Sequence, residues 1–385
     1  MRKVPLGELC EIIIGRTPPR AEPSYWGSGE PWLSIADMNQ GKVISRTKEQ
    51  ISPAGASLGK QVSEGTVLLS FKLSIGKVAI AGMPLYTNEA IAALPIRDRQ
   101  LLTESYLVRA LESVDLADGS NRAAMGATLN KAGLRDVRVP LPPIAEQRRI
   151  ATILDQADAL RAKRRQVLAH LDDLPQAIFH AMFGDPDESA SNVYFGDLAT
   201  LSGGRNLVAH DSAAPSRYRV LKISAVTTGQ FRPQESKPLP PMYVPPNEHL
   251  VKGGDLLMSR ANTTELVGAV AYVSSTPANL ALPDKVWRFD WKTEAEPAFY
   301  HALLSTSAMK RRISRLSSGT GGSMKNVSKA KLNGMLVPHV ELGQQRAFVE
   351  RARRVSDQRA AVQRAVSADD ELFASLQSRA FRGEL

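Results

Sequence analysis

The chain has 385 residues, 43% hydrophobic and 23% charged, which suits two or three globular domains and excludes a broadly disordered chain. No apolar run approaches the roughly 18–20 residues of a membrane helix, and the start, where Glu11 breaks the stretch Leu9–Ile14, has no small-residue cleavage site, so membrane and secretory readings are out. A single cysteine excludes a disulfide framework or a cysteine-rich zinc site and fits a reducing, cytoplasmic setting, while a net charge of +10 favours a polyanionic partner, nucleic acid first.

Residues 1–143 read as β-rich, with short apolar runs such as Val67–Phe71 and Val78–Ala81 punctuated by Gly, Pro, Ser and Asn. Cys10, between Leu9 and Ile12, reads as a small buried strand residue. A helical piece at 103–114 precedes the end of this stretch. Leu141-Pro142-Pro143 then opens a long helix over 144–183. Its apolar positions Ile150, Ile153, Ala157, Leu160, Val167, Leu171, Leu174 and Ile178 keep a heptad, with Arg164 interrupting, and Pro175 predicts a kink near one end.

A second β-rich stretch covers 186–341, with runs at Val220–Ile223, Leu256–Met258 and Val267–Val273 and a helical piece at 297–316. A second long helix, 342–382, keeps a 4/3 spacing through Phe348, Ala352, Val355, Val362, Val366, Phe373, Leu376 and Ala380. Such sustained seams predict coiled-coil pairing; the alternative is two helices each packed on its own domain. Forty helical residues make a rod of roughly 60 Å. The chain thus divides into 1–143, 144–185, 186–341 and 342–385.

These blocks are a repeat. Val4-Pro5-Leu6-Gly7-Glu8-Leu9 returns 189 residues later as Val193-Tyr194-Phe195-Gly196-Asp197-Leu198, and Gly15-Arg16 returns as Gly204-Arg205. Glu64–Ser70 meets Gly253–Ser259 at the same shift. Near the end of each half the shift becomes 198: Leu134–Pro140 meets Leu332–Pro338, Glu146-Gln147-Arg148 meets Gln344-Gln345-Arg346, and Phe183 meets Phe381. An ordered series over the whole chain marks a duplication. The expected fold is α+β: two tandem, pseudo-symmetric halves, each a β-rich domain followed by a long helix.

The charge is uneven. Residues 1–143 carry a net +3 and residues 186–340 a net +6, against +1 for residues 144–183 and +2 for residues 342–385. The globular stretches, not the rods, are the candidates for meeting phosphates, and the rods read as solvated faces around an apolar seam. No catalytic constellation is legible. Gly41-Lys42, Gly59-Lys60 and Gly76-Lys77 lack the rest of a phosphate loop, and Gly319-Thr320-Gly321-Gly322 reads as a flexible loop. The Asn-Pro-Pro-aromatic signature of adenine methyltransferases is absent. Six histidines are scattered, and ten residues between His170 and His180 is poor metal spacing.

Leu141-Pro142-Pro143-Ile144-Ala145-Glu146-Gln147-Arg148-Arg149-Ile150 and the ending Phe381-Arg382-Gly383-Glu384-Leu385 resemble specificity subunits of type I restriction–modification systems. So do Ile14-Gly15-Arg16-Thr17-Pro18-Pro19, Tyr25-Trp26-Gly27 and Pro31-Trp32-Leu33-Ser34-Ile35. The second half departs from the pattern: Val340-Glu341-Leu342-Gly343 replaces the proline-rich helix start, and Gly203-Gly204-Arg205-Asn206 lacks the Thr-Pro pair. The resemblance implies a non-catalytic subunit with two target-recognition domains, 1–143 and 186–341, each reading one half of a bipartite, asymmetric DNA target. It implies that the helices pack as an antiparallel coiled coil and set the spacer. Two methyltransferase subunits would bind along them and translocating restriction subunits would join. The chain itself would hold no cofactor; S-adenosylmethionine, ATP and magnesium would belong to the partners. Pairing and partner binding would fall to Ile150, Ile153, Leu160, Val167, Leu171, Leu174, Phe348, Val355, Val362, Phe373 and Leu376.

Candidate DNA contacts are loop residues of the kinds that reach phosphates and base edges. In the first domain these are Arg16, Arg20, Tyr25, Asn39, Lys72, Asn121, Arg122 and Lys131. In the second they are Arg205, Arg217, Arg260, Asn262, Thr263, Ser323, Lys325 and Asn326. Arg16 and Arg205 share a repeat position, which suggests either a common phosphate contact or a common structural role. Trp26 and Trp32 read as packing anchors. Alternatives are a subunit of a methylation-only or type IIG/IIB-like system, an enzyme in its own right, or a coiled-coil scaffold that does not read DNA.

Overall fold

The computed structural model describes residues 1–72, 74–114, 116, 121–123, 126–128, 130–205, 216–319 and 325–385, with backbone alone at 121–123 and 126–128. The chain forms two compact units, one of Met1–Arg165 with Arg364–Leu385 and the other of Gln166–Gln363. Each unit combines one β-rich stretch with part of both long helices, Ile144–Phe183 and Leu342–Arg382.

In the first unit, Lys3–Pro5 pairs antiparallel with Arg138–Pro140, a clasp that returns the β-rich stretch to its start just before the long helix. A five-stranded sheet follows the spatial order Ile13–Ile14, Ile91–Leu94, Val67–Ser70, Val78–Ala81, Val43–Ile44, and only the last pair is parallel. Its strands VLLS and IAAL are buried throughout, which is why they read as unbroken apolar runs. Trp26–Leu33 builds a second sheet with antiparallel Glu49–Ile51 and parallel Tyr86–Thr87. Helix Glu104–Ser113, capped by the Thr103 hydroxyl, buries Tyr106 through Leu111.

The second unit repeats this plan. Asn192–Tyr194 is clasped to Leu336–Pro338. The sheet order is Ala199–Gly203, Val286–Trp291, Leu256–Ser259, Val270–Tyr272, all antiparallel. Arg219–Leu221 again takes one antiparallel neighbour, Ser236–Pro238, and one parallel neighbour, Leu280–Ala281. The helical piece at 297–316 is two helices, Pro297–Ser305 and Ser307–Leu316, because Thr306 ends the first and caps the second.

The 198-residue shift aligns Gln147 with Gln345, and the geometry explains the match. Both side chains are buried. Gln147 Nε2 donates to the carbonyls of Leu101 (2.8 Å) and Pro142 (3.0 Å), while its Oε1 accepts from the Thr103 N–H (3.1 Å). Gln345 donates to the Val340 carbonyl (2.8 Å) and accepts from the Glu296 N–H (3.0 Å). Each glutamine ties the start of a long helix to the start of a short one and satisfies backbone groups that burial would otherwise leave unpaired.

The long helices pair antiparallel. In the first unit Arg149 reaches the Leu385 carbonyl and Arg161 pairs with Asp370. In the second, Phe179 packs on Phe348 and Arg359 pairs with Asp172. On Leu342–Arg382 the seam lies where the spacing put it, at Phe348, Ala352, Val355, Val362, Val366, Phe373, Leu376 and Ala380, with Arg359 and Asp369 filling the gaps.

Ile144–Phe183 departs from expectation. Its buried or half-buried series is Leu154, Ala157, Arg161, Arg164, Leu168, Leu171, Pro175 and Ile178. Leu160, Val167 and Leu174 are 44%, 44% and 38% exposed, and Ile153 is half-buried. Two heptads overlap on this helix and share positions 157, 164, 171 and 178; the partner helix takes the one that contains arginines. Charge decides between them. Arg161 pairs with Asp370 (2.7 Å) and lies 4.3 Å from the Phe373 ring centroid, and Arg164 pairs with Asp369 (2.7 Å). The seam is ionic at its centre, not apolar throughout, and the helix continues through Pro175.

Candidate nucleic-acid interface

The repeated Gly-Arg pair has a structural half and an exposed half. Gly15 follows strand Ile13–Ile14, and a Cβ on it would lie 2.2 Å from the carbonyl oxygens of both Thr87 and Asn88. On Gly204 it would lie 1.7 Å from the Leu282 carbonyl oxygen. Only glycine fits at either corner. The chain is anchored there by Arg16 N–H to Thr87 O (2.8 Å) and by Gly204 N–H to Pro283 O (3.1 Å). Both arginine side chains are exposed, and among the described residues neither makes an ion pair.

Arg20 is differently placed. Its guanidinium stacks 3.7 Å from the Trp26 ring centroid and binds Glu49 through two hydrogen bonds, 2.5 and 2.9 Å. That hydrogen-bonded pair holds the Glu49 carboxyl below its ordinary value. Trp32, nearly fully buried, meets Trp26 edge-on at 5.0 Å and donates to the Arg16 carbonyl (3.2 Å). Tyr25, half-buried, ends the short turn Pro23–Tyr25 that delivers Trp26.

A second group in the first unit surrounds residues 70–77. Ser70 is fully buried; its hydroxyl bonds to Ser74 O and accepts from Lys77 N–H (2.9 Å), pinning the loop that carries Lys72. Lys77 reaches across to the side-chain oxygen of exposed Asn39 (2.7 Å). Lys131 is exposed at the start of helix Lys131–Asp136. Asn121 and Arg122 lie on a strand paired with Gly126–Thr128, and their side chains are outside the described residues.

The second unit gathers its candidates more tightly. Ala261–Asn262 pairs with Lys325–Asn326, so Arg260, Asn262, Thr263, Lys325 and Asn326 meet from segments whose paired residues are 63 and 65 positions apart. Buried Ser259, the repeat partner of Ser70, bonds to the Ala261 carbonyl at the base of this ladder. Arg260 and Lys329 both lie 5.7 Å from the ring centroid of Trp287, on an interior strand at the register position where the first half has Ala92. Lys325 is tied to the Gly319 carbonyl (2.9 Å). Arg217 sits apart, beside Tyr218, and Ser323 lies outside the described residues. Cys10 is buried, and desolvation pushes its thiol up to about 12, so it is inert.

Residues 1–170 match the family described as type I restriction modification DNA specificity domain. The chain is 27% identical over 266 residues to the MjaIX specificity subunit of Methanocaldococcus jannaschii, which covers 64% of this chain and 57% of that one. It is 23% identical over 369 residues to the EcoKI specificity subunit of Escherichia coli, covering 89% and 77%. Residues 1–170 therefore match a type I specificity domain, and the chain as a whole is similar to type I specificity subunits. The fold agrees: the S subunit from M. genitalium superposes with a TM-score of 0.57 over 99% of this chain and 96% of that one, at 12% identity.

Beside these candidates the structure places residues that the sequence reading left out: Lys77, Trp287 and Lys329. The last was legible. The 198-residue shift that pairs Leu134 with Leu332 also pairs Lys131 with Lys329, and both open a short helix capped by Asn130 or Ser328.

Proposed function

We propose that this chain is the target-reading subunit of a type I restriction–modification complex. It is non-catalytic, and residues 1–143 and 186–341 each read one half of a bipartite, asymmetric DNA site. The doubled topology carries this reading: clasp, sheet, short helix and buried glutamine recur, while the polar residues on the loops differ. A duplex has its own local dyad, so a duplicated reader matches it, and unlike loops free the target from being a palindrome.

In this reading Arg16 and Arg205 contact phosphates, and Asn262, Arg260 and Lys325 meet base edges or phosphates from one ladder. Arg20 stiffens the Trp26 corner. Leu160, Val167 and Leu174, exposed on the first long helix, and half-buried Ile153 dock methyltransferase subunits, and translocating restriction subunits complete the complex. S-adenosylmethionine, ATP and magnesium belong to those partners. The site of action is the cytoplasm; no helix among the described residues is long and apolar enough to cross a membrane.

Co-expression with the cognate methyltransferase and mapping of methylated adenines tests this. One bipartite motif is expected, and a heptad added within residues 150–175 should change its spacer and neither half-site. An assembled complex that methylates without sequence preference contradicts the reading.

A further inference from the structure

We infer that Arg109 is a positioning residue whose ionic cluster fixes the first recognition domain on the helix pair and so holds the target spacer to one length. The inference rests on the DNA-reading assignment above. Arg109 lies on helix Glu104–Ser113 and is 1% exposed. Its Nε and Nη2 donate to Asp155 Oδ1 at 2.9 and 2.6 Å, and Nη2 also meets Asp158 Oδ2 and the Leu154 carbonyl, both at 3.2 Å. Nη1 binds Glu112 (3.0 Å), and the guanidinium lies 5.6 Å from the Phe373 ring centroid.

The cluster extends outward in both directions. Lys42 Nζ binds Asp158 (2.7 Å) and Asp155 (3.3 Å). Arg161 joins Asp158 (3.2 Å) to Asp370 (2.7 Å) on the second long helix. Short helix, reading-side loop and both long helices therefore meet in one set of charges. Lys42 follows the turn Asp37–Gln40, which carries the proposed DNA contact Asn39.

Apolar burial alone attaches a domain but is non-directional. A buried guanidinium is not: rotation or sliding of the short helix would separate it from its carboxylates and strand the charge. The fold does not require such a joint, because the second unit seats its short helix with phenylalanines instead. One added base pair moves a half-site by about 3.4 Å. A joint loosened by that much would admit neighbouring spacers while leaving each base-reading loop intact.

The test is methylome mapping with the full complex, comparing wild type with Asp155→Asn/Asp158→Asn and with Arg109→Met. Both half-site sequences should stay the same. Selectivity for the wild-type spacer over spacers one base pair longer or shorter should fall about tenfold, the factor that matches the low end of the coupling between close charge pairs. Arg109→Lys should remain relaxed, because an ammonium lacks the planar fork that meets two acids at once. Should the double variant fail to fold, Arg109→Met and the peripheral Lys42→Met carry the test, with a smaller relaxation expected for Lys42→Met. An Arg109→Met complex that assembles and keeps wild-type spacer selectivity overturns the inference, as does a change in the bases of the first half-site. A wild-type complex with no bipartite motif would instead sink the DNA-reading assignment.

Discussion

The two units seat the same short helix against the same long helices with different chemistry. In the first, Arg109, Asp155, Asp158 and Lys42 form an ionic joint, with Tyr106 packed on Phe381. In the second, Phe179, Phe183, Phe299 and Phe348 pack ring on ring at 5.1–6.0 Å between centroids. The shared topology, the repeated glutamine and one aromatic pair, Tyr106 on Phe381 and Phe299 on Phe183, survive from the duplication; the ionic cluster of the first unit and the wider phenylalanine cluster of the second do not. An aromatic cluster gives strength without direction, and a buried ion cluster gives direction with little net strength.

The largest expected effect is on the aromatic side. Phe179→Ala should destabilise the second unit by about 3–5 kcal/mol, read by denaturant unfolding, and a loss below about 1 kcal/mol would remove the cluster from its role. On the ionic side the order of costs is diagnostic. Asp155→Asn/Asp158→Asn leaves a buried cation with Glu112 alone and should cost about 2–3 kcal/mol, whereas Arg109→Met leaves half-exposed acids that water can solvate and should cost about 1 kcal/mol. The reverse order would break the ionic account.

Gln147→Ala and Gln345→Ala should each cost about 1–3 kcal/mol, because each strands buried backbone groups. Unequal costs would show that the glutamines are not the common element. Acid should separate the joints. Burial raises the Asp158 carboxyl, but hydrogen bonding and charge from Lys42 and Arg109 outweigh it, and the net shift is downward. A depressed carboxylate contributes stability that is complete above its unfolded value, near 3.9, and lost as pH falls through its folded value. Amide exchange in the short helix of the first unit should therefore rise below about pH 4, whereas Pro297–Ser305, whose His301 is held below its ordinary value by burial, should begin to loosen earlier, as pH falls below about 6.5. The smallest effect concerns the DNA contacts. Arg205→Ala should reduce the salt slope of DNA binding by about 0.9, and Arg20→Ala by less, since Glu49 already balances its charge.

The duplication was legible because repeat shifts follow from backbone requirements. Gly15 and Gly204 sit where a carbonyl excludes a Cβ, and Gln147 and Gln345 bridge the same corner. The seam of Leu342–Arg382 was legible because a single heptad carries its apolar residues. That of Ile144–Phe183 was misread because hydrophobicity favours 153, 160, 167 and 174, while Asp369 and Asp370 on the partner select Arg161 and Arg164. Pairings such as Arg20 with Glu49, or the ladder that brings Arg260 to Lys325, depend on strands far apart in sequence, which local patterns do not encode.

The most direct measurement replaces residues 1–143 with the corresponding domain of a related specificity subunit and maps methylation by the assembled complex. One half of the bipartite motif should change while the other half stays as it was. A motif altered in both halves, or in neither, would contradict two independent readers on one duplicated chain.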